Sequence, residues 1–295
     1  MNILDKYAYA PDHEEMGRAL QQLASNLDNF ASEQVYKDCF SMMDLTTLKT
    51  DDTPASVAKL VGKVNAFKEA YPEWPLPASV CVYPNFASVV AAERKCDFNI
   101  TVVSACFPSS QSFLEVKLRE CELAVEQGAD EVDIVLALSK FLAEDYEGAA
   151  EEIRQVRSCI DAVAAKQNRK VHLKVILETG LLRTPENIAK ASFLAMEAGA
   201  DFIKTSTGKV DTNATPAAAY VMCECIARFH KATGKKIGFK PAGGISSAAD
   251  ALCYYSIVSS ILGKEWLDKE YFRFGVSRVA NSILSAVEEK TVSFF

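Results

Sequence analysis

The sequence predicts a (β/α)8 TIM barrel over residues 39–295, preceded by an N-terminal helical extension over residues 1–38. Three observations carry this. Eight short apolar runs alternate with stretches of helical periodicity. Threonine precedes proline at Thr184-Pro185 and Thr215-Pro216, the pattern of an N-cap followed by proline at the first helical position. Two helix-like stretches end in Gly-Ala-Asp, at Gly128 and Gly199, where glycine supplies the left-handed conformation that closes a helix before the next strand. A doubly wound open sheet is the competing architecture. It would favour a glycine-rich first turn, and G-x-G-x-x-G does not occur.

Taken in order, residues 16–30 carry Leu20, Leu23 and Leu27 on one face and read as an amphipathic helix. The expected use is to cap the lower face of the barrel, with a subunit interface as the alternative. Strands are expected at 40–45, 79–83, 100–106, 131–136, 172–177, 202–205, 237–240 and 272–275, and helices include 116–125 and 185–194. No linker, low-complexity segment or further repeat interrupts the alternation.

Composition narrows the function. The chain has 295 residues, 49% of them hydrophobic, which suffices for one large core. Its net charge of −7 argues against nucleic acid or an acidic membrane as partner, but leaves room for a small anion in a locally basic pocket. No apolar run reaches the length of a membrane span, and the first residues lack the apolar core of a signal peptide. Nine scattered cysteines without C-x-x-C spacing read as reduced thiols in a cytoplasmic protein.

The chemistry is expected where barrel strands end. Asp44, Cys81, Tyr83, Asp133, Lys204 and Lys240 are the polar residues at those positions. Two consecutive strands finish on lysine, the side chain that attacks carbonyls once its amine is neutral. Neighbouring strands bring such ammonium groups within about 5 Å. At an effective dielectric near 20 their repulsion is roughly 3 kcal/mol, or about 2 pKa units, and burial acts in the same direction. The residues alone do not say which lysine is the nucleophile. Asp133 serves either as a proton relay or as a salt-bridged core carboxylate. Asp44 binds a substrate hydroxyl, stiffens the relay, or caps a turn.

Gly243-Gly244 follow strand seven, and Gly275 and Ser277 bracket the end of strand eight, where barrels bind phosphate with backbone N–H groups and a short helix, here opening at Ser246-Ser247. Thr207-Gly208-Lys209 imitates the end of a P-loop but fails it, with Ile203 and Val210 at required positions. His13, His172 and His230 have no metal-ligand spacing, and neither H-E-x-x-H nor G-x-S-x-G occurs, so no metal and no cofactor are expected.

Five segments in order resemble deoxyribose-phosphate aldolases: 43–48 (MDLTTL), 128–133 (GADEVD), 174–180 (KVILETG), 200–209 (ADFIKTSTGK) and 238–244 (GFKPAGG). The resemblance implies a metal-independent class I aldolase whose partners are a phosphorylated sugar and acetaldehyde. It implies that Lys204 forms the Schiff base, that Lys240 perturbs it, and that Asp133 transfers protons. Asp44, Thr46 and Cys81 are then expected to line the substrate site. Thr207, Lys209, Gly243, Gly244, Gly275 and Ser277 are expected to hold sugar hydroxyl and phosphate. Three departures stand out. The resemblance leads to a tail tyrosine where this sequence reads Phe294-Phe295, and to a small polar residue where Arg278 stands. The extension is longer than in compact members, so a homodimer is compatible but not implied. A barrel that binds phosphate without catalysis, and a class I aldolase for a longer sugar phosphate, are the competing readings.

Overall fold

The computed structural model describes residues 3–295, so residues 1 and 2 of the expected extension lie outside it. Eight parallel strands follow in turn: β1 Met43–Thr46, β2 Ser79–Val82, β3 Asn99–Val103, β4 Glu131–Val135, β5 His172–Ile176, β6 Phe202–Lys204, β7 Gly238–Lys240 and β8 Phe274–Val276. Each pairs with the next up to β7, and β8 lies beside β1. Two isolated parallel bridges, Phe239 with Phe272 and Ala242 with Gly275, span the gap between β7 and β8. Helices lie between the strands, giving the TIM barrel that the alternation predicts.

Two strands start later than expected. Phe40 belongs to the helix Glu33–Ser41, which Ser32 caps by accepting from the Val35 N–H, so β1 begins only at Met43. Phe272 meets the sheet through a single bridge, and β8 proper begins at Phe274. At the other end, the run 100–106 stops at Val103 because Ala105 and Cys106 both take left-handed φ values. Helix signals fare better. Thr184 and Thr215 accept from the Asn187 and Ala218 N–H groups, and Gly128 and Gly199 both sit at φ +105°.

The extension does not cap the barrel floor. Its helix His13–Ser25 ends at Asn26, a 3-10 turn covers Leu27–Phe30, and the segment packs against the helices Pro216–Thr233 and Ala248–Ile261 of the outer wall. Tyrosines ahead of it fix that path. The Tyr7 ring stacks 4.3 Å from Phe193, and the Tyr7 and Tyr9 hydroxyls donate to Glu197 and Glu224. Phe294 and Phe295 also lie on the wall, against Phe67, and do not turn over the mouth.

Barrel interiors are ordinarily layers of Val, Ile and Leu. Here the inward positions, two apart on each strand, carry Asp44, Ser79, Cys81, Thr101, Glu131, Asp133, Lys174, Lys204 and Lys240, all buried. Among them the Phe202 ring also points inward, and glycine makes room for it. A Cβ on Gly238 would stand 2.2 Å from the Phe202 ring across the β6–β7 pair.

Candidate active site

Register places Lys204 directly opposite Lys240. Both ammonium groups reach the same atom: Asp133 Oδ2 accepts from Lys204 Nζ at 2.9 Å and from Lys240 Nζ at 2.8 Å. The two nitrogens therefore lie within two hydrogen-bond lengths, well inside the ~8 Å Debye length.

Beneath them the interior is a lattice of ion pairs that the sequence reading did not anticipate. Lys240 also pairs with Asp44 at 2.5 Å. Lys174 donates to Asp133 Oδ1 at 3.0 Å and bonds Glu131. Arg273 grips Glu131 through both terminal nitrogens, at 2.7 and 3.0 Å, and Asp44 at 2.7 Å. Ser79 donates to Asp44, and Thr101 and Asn99 donate to Glu131. The signal for Glu131 was available: Asp133 faces inward, so its neighbour two residues back must too. Lys174 lies in a recognised motif without an assigned role. Arg273 precedes β8 and carries no periodic signal.

Four cations thus share three carboxylates, and they do so unequally. Lys174 reaches all three acids, with Asp44 the most distant at 3.9 Å, and Lys240 and Arg273 each touch two. Lys204 touches one, already shared. The consequence is electrostatic. Burial lowers the Lys204 pKa below its ordinary value; Asp133 opposes the shift and the Lys240 charge adds to it. Burial works against Lys240 as well, but Asp133 and Asp44 together outweigh it and raise its pKa. Burial also pushes Asp133 towards protonation, and three lysines overrule it, holding that carboxyl well below the usual range. The like-charge repulsion expected from sequence is present but ranks behind desolvation.

Lys204 is also the lysine of this group that reaches space. It lies at the base of a cavity of about 300 Å³ at the barrel mouth, a size suited to a small ligand. Thr46, Thr207, Lys209, Gly243, Gly244, Gly275, Ser277 and Arg278 line the same cavity. Asp44 and Cys81 do not line it. Asp44 sits one inward step below Thr46 on β1, where Lys240 and Arg273 occupy it. Cys81 is fully buried among the charges, its thiol pushed up by desolvation. Both were expected to line the substrate site, and both lie below the cavity lining. Asp133 and Lys240 also lie below the lining, in contact with Lys204.

The anion-binding features are partly rearranged. Gly243 and Gly244 have φ +79° and +78°, a left-handed turn at the cavity rim that glycine adopts without strain. A Cβ on Gly243 would meet Asn213 Oδ1 at 2.7 Å. The helix Ala248–Ile261, expected to present its N-terminus, is already filled: the Asp250 carboxylate accepts from the Ser246 and Ser247 N–H groups, both at 2.9 Å. The helix Val279–Val287 has no side-chain cap, so its first N–H groups remain open beside Ser277. Lys209 spans the mouth and donates to the Leu48 carbonyl at 2.5 Å.

Glu178 was missed as a site residue. It sits at the end of β5 with φ +56°, is buried, and accepts from both the Thr207 N–H and the Thr207 hydroxyl. A buried carboxylate followed by threonine and glycine is its only sequence trace. His172 lies near Phe202 at the foot of β5, and His13 on the extension approaches Glu186. Among the described residues no group of three His, Cys, Asp or Glu side chains is arranged to hold a metal ion. No helix among them is long and apolar enough to cross a membrane.

Comparison with known proteins agrees with this architecture. A family model described as DeoC/LacD family aldolase matches residues 39–253. A Caenorhabditis elegans protein named putative deoxyribose-phosphate aldolase is 40% identical over 287 residues, covering 94% of this chain and 89% of that one. The human protein named deoxyribose-phosphate aldolase is 43% identical, covering 82% and 77%. Among solved structures, a putative deoxyribose-phosphate aldolase from Toxoplasma gondii superposes with TM-score 0.70 at 21% identity, over 87% of this chain and 94% of that one. The tetrameric deoxyribose phosphate aldolase of Aeropyrum pernix gives 0.65 at 23% identity, over 94% and 99%. These two structures bear on the fold.

Proposed function

The chain belongs to the DeoC/LacD aldolase family, and we propose that it cleaves 2-deoxy-D-ribose 5-phosphate reversibly to acetaldehyde and D-glyceraldehyde 3-phosphate through a Schiff base on Lys204. The observation that carries this reading is the unequal pairing of the two lysines. The amine at the cavity floor is the one whose proton is held least well.

Neutral Lys204 adds to the C1 aldehyde, and loss of water gives a protonated imine. Asp133, in contact with Lys204 at 2.9 Å, exchanges protons during that dehydration. The iminium withdraws the electron pair of the C2–C3 bond as the C3 hydroxyl loses its proton, releasing glyceraldehyde 3-phosphate and leaving an enamine. Protonation at C2 and hydrolysis then free acetaldehyde and the amine. The iminium is the electron sink, so this reading calls for no metal. Lys240 stays charged throughout, pinned by Asp44 and Asp133, and keeps Lys204 deprotonated between turnovers. The Gly243-Gly244 turn at the cavity rim, where no side chain holds a ligand off the backbone, and the open helix start after Ser277 suit the phosphate. Nine unpaired cysteines support a reducing compartment such as the cytoplasm.

Borohydride reduction in the presence of substrate tests this assignment. A two-carbon adduct on Lys204 is expected by mass spectrometry, and it must vanish in Lys204→Met. An adduct on Lys240 would reverse the roles. A substrate panel of deoxyribose 5-phosphate against fructose and sedoheptulose phosphates separates this reading from that of an aldolase for longer sugars.

A further inference from the structure

We propose that Glu178 is a positioning residue for substrate specificity: it locks the Thr207 hydroxyl as a hydrogen-bond acceptor for the C4 hydroxyl of the sugar. The inference rests on the aldolase reading above and deepens it.

The argument is a count of donors and lone pairs. A threonine hydroxyl has one proton and two acceptor sites. The proton of Thr207 is committed to Glu178 Oε2, at 2.5 Å. One acceptor site is taken by the Lys209 N–H at 3.1 Å. One acceptor site therefore remains, and Thr207 lines the cavity. Glu178 cannot swing away from this task, because its other oxygen accepts from the Thr207 N–H at 3.2 Å and the residue is buried. Its backbone is held in the left-handed region, φ +56°, an arrangement that costs a non-glycine residue energy and that the surrounding contacts sustain. Those contacts include the Thr179 N–H donating to the Thr205 carbonyl.

The chemistry of the remaining site follows. A polar group fixed as acceptor favours a ligand that donates, and penalises one that offers nothing, because the lone pair is then left unpaired in a largely dry pocket. Thr207 lines the cavity with Lys204 and the Gly243-Gly244 pair, and along the chain it lies between Lys204 and Gly208, at which a Cβ would stand 4.0 Å from the Gly243 Cα. With C1 on the amine and the C5 phosphate at the glycines, the hydroxyls between them are those of C3 and C4. The C3 hydroxyl must give up its proton in the cleavage. The C4 hydroxyl keeps its proton through the reaction, and it is the permanent donor that a permanent acceptor suits.

The test compares deoxyribose 5-phosphate with its 4-deoxy analogue, using the full chain. The wild type is expected to favour the 4-hydroxy substrate by about tenfold or more in kcat/KM, roughly the value of one hydrogen bond to a fixed partner. Glu178→Gln offers an N–H in place of the accepting oxygen, so the Thr207 hydroxyl is free to turn. The preference should then fall to within about threefold, through a raised KM for the 4-hydroxy substrate. Trapping of Lys204 by borohydride with acetaldehyde, which has no hydroxyl, should persist and reports an intact site. A wild type that cleaves both substrates equally well, or a Glu178→Gln enzyme that keeps the wild-type preference, overturns the proposal. If Glu178→Gln does not fold, Thr207→Val decides: loss of the preference supports the assignment, and retention overturns it. Failure of the wild type to cleave either substrate is a different result and rejects the aldolase reading itself.

Discussion

The barrel interior divides into a floor and a mouth, and the two treat charge in opposite ways. On the floor, Lys174 faces three carboxylates and Lys240 and Arg273 two each, at 0% side-chain exposure. Every charge there is desolvated, and every one is compensated. At the mouth, Lys204 shares a single oxygen of Asp133 with another cation and opens onto the cavity. Burial of an ion pair costs several kcal/mol per ion before the attraction returns it. A buried lattice with one cation too many can relieve the excess by losing a proton. The lesson is that reactivity here comes from incomplete pairing: the floor decides which amine is neutral, and the mouth gives that amine a substrate.

Changes that break this contrast can be ranked. The largest is Lys204→Met, which should abolish turnover and trapping. It should also raise the melting temperature near pH 7, since a lysine whose pKa is lowered by folding opposes folding fully below its folded value, and this penalty fades as pH rises from that value to about 10.5. A lowered melting temperature in this variant would argue against a strained amine.

Lys240→Met comes second. Removing the neighbouring charge lets the Lys204 pKa rise, so the rising limb of the pH–rate profile should move to higher pH. The rate near pH 7 should fall by about 10²–10³-fold. An unmoved limb would mean that Lys240 does not set the amine's charge state.

Arg273→Met acts on the floor alone. It leaves Glu131 and Asp44 short of a partner and should cost about 3–5 kcal/mol of stability, read in chemical denaturation. Its pH dependence has a sign as well. The Glu131 carboxyl is held well below its ordinary pKa by Arg273 and Lys174, against burial. The stability it supplies is therefore present above about pH 4, the unfolded value, and lost as pH falls through the folded one. In Arg273→Met that loss should begin at higher pH than in the wild type.

The smallest effect belongs to the rim of the mouth. Gly243→Ala places a methyl 2.7 Å from Asn213 Oδ1 at φ +79°, so the glycine turn must shift. KM for the phosphorylated substrate should rise by about tenfold, roughly 1.4 kcal/mol of binding. An unchanged KM would remove the glycine turn from the anion site.

The mouth was more legible in the sequence than the floor, and the reason is physical. Strand ends advertise themselves, because a lysine closing an apolar run has no ordinary explanation; Lys204 and Lys240 were found this way. Gly243-Gly244 were found by position after β7. The floor hides in strand alternation. Glu131 precedes a residue already identified and follows from period two, but Lys174 and Arg273 pass as ordinary surface charges until the barrel closes around them. Depth was legible only in rank: strand direction puts Thr46 nearer the opening than Asp44, but sequence does not say how far down the cavity reaches. The extension reads as an amphipathic helix, yet its docking site depends on Tyr7 and Tyr9 meeting Glu197 and Glu224 from distant helices. Such pairings have no local pattern.

The account stands on which of two adjacent amines loses its proton first, and nitrogen-15 NMR of the lysine side chains, titrated with pH, reads that directly. Lys204 should titrate below the ordinary lysine value of about 10.5, while Lys240 stays an ammonium beyond that pH. A Lys204 signal that titrates at or above the ordinary value, or a Lys240 amine that becomes neutral first, would contradict it.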